Sequence, residues 1–123
     1  MEAGTGIALV MLAFGGVLIA YIGILGFAGK LPRNRFAGIR TSRTLASDDA
    51  WRTAHTSGGP ALVFGGVAVF AVALAFAPIA FAGKLGDTAL VAVVIAAAGV
   101  LLGSVVASLL AANRALNARP PAA

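Results

Sequence analysis

The sequence predicts an all-α integral membrane protein, with three transmembrane helices and a structured basic cytoplasmic loop that contains a short amphipathic helix. Three observations predict it. The 123 residues are 60% hydrophobic and only 11% charged, against roughly 25% charged residues in a soluble domain, and the mean hydropathy is +1.00. Three stretches reach the ~20 apolar residues that a helix needs to cross a bilayer. The charge is also concentrated: Leu31 to His55, with Lys30 counted in, carries six of the nine basic residues, two of the four acids, the only Trp and the only His. The length allows one small domain. The chain has no cysteine, which excludes a disulfide framework, a thiol nucleophile and a thiolate metal site.

The first span is read as Ile7 to Ala28, without a charge. Met1 to Gly6 has no Lys or Arg and the apolar core exceeds that of a signal peptide, so the segment is expected to stay as a span. All spans must be helical, because an open strand in lipid leaves its backbone unpaired. Gly16 with Ala20, and Ile22 with Gly26, lie one turn apart. Small residues at that spacing admit close helix approach, within this chain or in a dimer. Tyr21 is expected to bond to Ser104 or Ser108, or to reach the headgroups.

Gly29 and Pro32 end the first helix. The loop then runs over residues 29–59, with a short helix at about 47–56. Ser47 suits an N-cap, and Asp48 and Asp49 suit the positive end of the helix dipole. Trp51 and His55, four residues apart, share one face of that helix, which is expected to lie at the interface where Trp is enriched. Gly58, Gly59 and Pro60 are read as the turn into the second span, residues 60–82, with Pro60 in its first turn. The short connection Gly83 to Asp87 makes an antiparallel hairpin with the third span, residues 88–112. That span carries Gly99 and Gly103, again a packing face first and an oligomer face second. The tail, 113–123, is basic, proline-ended and expected to be mobile.

With three spans, the first loop and the C-terminus share a side. That side holds eight basic residues: Lys30, Arg33, Arg35, Arg40, Arg43, Arg52, Arg114 and Arg119. The other holds Lys84 alone. Positive charge marks the cytoplasmic side, so the N-terminus is expected outside the cell (inner) membrane and the first loop and C-terminus on its cytoplasmic side.

Several activities lack their residues. No span contains an ionisable group, which ion and proton pathways require. His55 has no second His or Cys, whereas zinc takes three or four protein ligands. Ser47, Asp48 and His55 fall within nine residues with no oxyanion site in view, which is no triad. Nucleic-acid binding lacks a fold and an aromatic platform. The expectation is no catalytic residue, no cofactor and no metal.

What remains is the loop. Gly38 suits a tight turn, and Phe36 and Ile39 are apolar anchors that dip into the interface or pack beneath it. Arg40, beside the hydroxyls of Thr41 and Thr44, is a forked donor. It is expected either to clamp Asp48 or Asp49 or to contact a ligand.

The residues Asn34, Gly38-Ile39-Arg40-Thr41, Thr44-Leu45, Trp51, His55 and Gly58-Gly59 resemble the pattern of the SdpI-like family of small bacterial membrane proteins: Asn, Gly-x-Arg-Thr, Thr-Leu, a Trp followed four later by His or Asn, then glycines leading into a helix. Arg33 stands where that pattern often has a proline. The resemblance implies a toxin-immunity or signalling role. The candidate residues for binding a ligand or partner, or for structuring the loop, are Asn34, Arg35, Gly38, Arg40, Thr41, Thr44, Trp51 and His55. The chain is therefore expected to be a non-enzymatic membrane protein of that kind, or an accessory subunit of a larger membrane complex. The alternative is a protein that binds anionic lipid headgroups, with Arg35 and Arg40 on phosphate, Asn34 and Thr41 as donors and Trp51 on the chains. Expected partners are membrane lipids, another membrane protein, or a second copy through the small-residue faces.

Overall fold

The computed structural model describes residues 2–119. Within them lie three long helices, α1 (Glu2–Phe27), α2 (Asp48–Phe81) and α3 (Asp87–Asn117), a 3-10 turn at Thr44–Ala46, and no strand. All three helices are long and apolar enough to cross a membrane. α2 is the middle helix, with α1 packed on one side and α3 on another, and α1 and α3 barely meet.

The glycines of α1 work inside the molecule. A Cβ on Gly59 would lie 2.5 Å from Gly23 O, and one on Gly66 would lie 2.5 Å from Ala20 N and press on Gly16 O. The α1 and α2 backbones thus touch where both lack side chains. Lipid supplies no hydrophobic drive to join helices, so such close packing is what holds them together. Gly99 and Gly103 differ: a Cβ on either would meet nothing within 4 Å, so this pair faces away from the other helices. Leu9, Ala77, Ala80 and Val93 form a small core at one end. Ile39, Ala50, Ala54, Ala112 and Leu116 form another at the loop end. Between them, large side chains such as Met11, Phe14, Phe64 and Leu102 are exposed, as suits a surface whose solvent is lipid.

The structure corrects the sequence reading in three places. The short helix and the second span are one helix, unbroken through Gly58, Gly59 and Pro60. The glycines there are close-approach sites, because a Cβ on Gly58 would lie 2.7 Å from Ile39 Cδ1 and from Ser108 O. Pro60 removes only the bond to the Thr56 carbonyl, and Thr56 is exposed. At 34 residues and 1.5 Å per residue, α2 is ~51 Å long against a hydrocarbon core of ~30 Å, so one end projects and carries the loop. Second, of the two expectations for Tyr21, the bond to Ser104 or Ser108 is not made. Tyr21 is exposed, while Ser108 donates to Gly58 O (2.8 Å) and Ser104 to Val100 O (2.8 Å). Third, α3 continues to Asn117 into what was read as the tail, whose residues 120–123 lie outside the described ones.

Candidate functional site

The loop is built by side chains bonding to backbone. α1 is capped just beyond its end by Gly29, which has φ +73°, a conformation that glycine adopts without strain. There the Lys30 N–H reaches Leu25 O (2.8 Å) and the Gly29 N–H reaches Gly26 O (3.1 Å), the paired bonds of a Schellman cap. Asn34 then spends its whole amide on the chain around it. Its Oδ1 accepts from the N–H of Phe36 (2.8 Å) and Ala37 (2.7 Å). Its Nδ2 donates to Pro32 O (2.8 Å) and Ala37 O (3.2 Å).

Next comes the junction with α2. Gly38 has φ +109°, and a Cβ there would lie 2.6 Å from His55 Nε2, so both conformation and space demand glycine. The turn delivers the Ile39 N–H to His55 Nε2 (2.8 Å). Since Nε2 accepts, the ring proton is on Nδ1, which donates to Trp51 O (2.8 Å). Trp51 lies beside the imidazole with ring centroids 4.1 Å apart, and its Nε1 donates to Leu31 O (2.8 Å). Thr44, fully buried, donates to Ile39 O (2.6 Å) and accepts from the Thr41 N–H (2.8 Å), while Thr41 Oγ1 accepts from the Thr44 N–H (3.2 Å). Ser47 caps α2 by accepting from the Ala50 N–H (3.0 Å). Among the described residues no buried side-chain nitrogen or oxygen lacks a partner.

Of the eight residues singled out, the structure brings together Gly38, Thr41, Thr44, Trp51 and His55, while Asn34 bonds only within residues 32–37. Arg35 and Arg40 stay outside on the exposed face with Phe36, which is 90% exposed. Arg40 clamps neither acid: its guanidinium donates to Arg35 O. Ile39 is drawn inward by His55, and its neighbour Arg40 is exposed. The acids pair elsewhere, Asp48 with Arg33 (3.1 Å) and Asp49 with Arg119 (2.7 Å). Of the two anchors, Ile39 is buried and Phe36 is not.

Two concavities flank this junction. One is a recess of about 590 Å³ lined by Lys30, Arg33, Asp48, Trp51, Arg52 and His55, among others. The other, about 330 Å³, opens between α1 and α3 beneath the loop, with Ile39, Arg40 and Ser108 on its wall. Sequence reasoning counted Lys30 and Arg52 among the basic residues of the cytoplasmic side and did not join them in one site. The available signal was helical spacing, which sets Asp48, Arg52 and His55 on one face of α2. No group of three or more potential metal ligands occurs among the described residues.

A family model described as the SdpI/YfhL protein family matches residues 30–110, from the end of α1 to the last third of α3. The chain matches no curated protein and no solved structure.

Proposed function

This chain belongs to the SdpI/YfhL protein family, and from that premise we propose that it is a non-enzymatic, immunity-like protein of the bacterial inner membrane that presents a rigid basic loop to a protein partner at the cytoplasmic face. One observation carries this reading. Asn34, Thr41, Thr44, Trp51 and His55 all spend their polar atoms on the chain's own structure, which leaves them as scaffold rather than chemistry. What the scaffold turns outward is Arg35, Phe36, Arg40 and Arg43. An exposed aromatic beside arginines is the composition of an interface anchor. The partner is a membrane-active peptide toxin, or the larger membrane complex of which this chain is an accessory subunit.

Affinity capture of the tagged full chain from native membranes in mild detergent tests the reading. A defined protein partner should be recovered with the wild type and reduced at least tenfold by Phe36→Ser with Arg40→Gln, two substitutions on exposed side chains. Equal recovery with that variant, or no stoichiometric partner, would remove the loop surface as the functional site.

A further inference from the structure

The recess at the α1–α2 junction has a net positive lining. Lys30, Arg33 and Arg52 face one carboxylate, Asp48, and Arg33 already neutralises it at 3.1 Å. Lys30 and Arg52 have no ion-pair partner among the described residues. Arg52 leans over the end of α1, since a Cβ on Gly29 would lie 3.9 Å from its Nε. Two cations are thus held over the same helix end, beside the Trp51–His55 pair, with no internal anion to satisfy them.

A third concavity adjoins the recess along the chain, since Ala28 of its lining precedes Gly29 of the recess. It is an apolar groove of about 1060 Å³ between α1 and α2, lined by Ile24, Phe27, Ala28, Pro60, Val63 and Phe64, among others. Its upper end at Phe27 and Ala28 is one residue from the recess at Gly29 and Lys30. On α2, Arg52 and Pro60 are eight residues apart, ~12 Å along the axis. The walls are open to the surroundings: Phe64 is 79% exposed and Val67 53%. A water-facing protein would not leave such a groove uncovered. In a bilayer it lies where acyl chains run, and the cations lie where phosphates lie.

We propose that recess and groove together are a binding site for one anionic glycerophospholipid, with its phosphate between Lys30 and Arg52 and an acyl chain along Phe27, Pro60, Val63 and Phe64. Charge complementarity selects the occupant. Basic side chains near a membrane surface attract anionic headgroups, and a zwitterionic lipid brings a cation that Lys30 and Arg52 repel. The site is separate from Arg35, Phe36 and Arg40, so it stands if the loop surface fails.

Native mass spectrometry of the full chain in mild detergent tests it, with phosphatidylglycerol and phosphatidylcholine supplied in competition. Phosphatidylglycerol should be retained about tenfold better. Lys30→Gln with Arg52→Gln should abolish the preference, while Arg35→Gln with Arg43→Gln, an equal charge loss on the exposed loop, should keep it. Val67→Trp, which fills the groove from an exposed position, should weaken lipid retention without touching a charge. Equal retention of the two lipids would overturn the proposal. So would equal loss in both charge variants, which would mean bulk attraction only, and so would unchanged retention in Val67→Trp. If soluble glycerol phosphate raised thermal stability as much as the lipid does, the groove would have no part and the proposal would fall.

Discussion

His55 is the residue on which the loop turns. It is buried and joins three segments: its own helix through Trp51 O, the loop through the Ile39 N–H, and α1, whose Gly26 would place a Cβ 2.9 Å from His55 Cβ. His55→Ala leaves the Ile39 N–H unpaired and opens a hole against Trp51. An unsatisfied buried donor costs about 1–3 kcal/mol, and the lost packing adds to it. Thermal unfolding in detergent should show a clear drop, and fluorescence from Trp51, the only Trp in the chain, should report a wetter indole. The control is Ser42→Ala, on the exposed loop surface, which should leave both signals unchanged. A variant His55→Ala with wild-type stability would mean that the loop is held by Asn34 and Thr44 alone. At this scale, side-chain type was legible in the sequence and partners were not. Trp51 and His55 are one turn apart, which spacing shows, whereas Ile39 reaches His55 across 16 residues through a turn whose geometry depends on Gly38. Arg40 drew attention for its forked donor, yet Arg33 and Arg119 reach the acids, because the inward pull on Ile39 leaves Arg40 on the exposed side.

Among elements, glycine position separates packing faces from lipid faces. Gly66→Ala sets a Cβ against backbone atoms of α1, Gly16 O and Ala20 N, and backbone cannot yield as a side-chain end can. Overpacking of this kind costs about 1–3 kcal/mol. Gly99→Ala meets nothing within 4 Å and gains helix propensity, up to ~1 kcal/mol in a helix interior. Thermal denaturation in one detergent should therefore rank Gly99→Ala at or above wild type and Gly66→Ala well below it. The reverse order would mean that α1 and α2 do not cross at these glycines. The same residues explain the misread break at Gly58-Gly59-Pro60. Local propensity counts two glycines and a proline as a turn. Here the glycines admit Ile39, Ser108 and α1, so tertiary contact overrides the local preference. Periodicity carries no trace of that, because the neighbours come from distant parts of the chain.

For the whole molecule, the number of spans was legible because hydropathy over ~20 residues is a property of each segment alone. Sidedness rests on a sum over segments. The structure sharpens that sum, since Arg119 pairs with Asp49 at 2.7 Å and ties the end of α3 to the start of α2. The loop and the end of α3 therefore occupy one end of the bundle whichever way it is inserted. Eight basic residues lie at that end, with Lys84 alone at the other, and loops rich in Lys and Arg stay in the cytoplasm. The absence of cysteine makes single-cysteine labelling clean. Ser42→Cys sits on the exposed loop, and Gly86→Cys caps α3 at a position where a side chain meets nothing within 4 Å. In intact cells a membrane-impermeant maleimide should modify the cysteine at 86 and spare the one at 42, and permeabilisation should expose both. Labelling at 42 alone would invert the orientation and move both the loop surface and the recess to the outer face. There a partner in the cytoplasm would be out of the loop's reach.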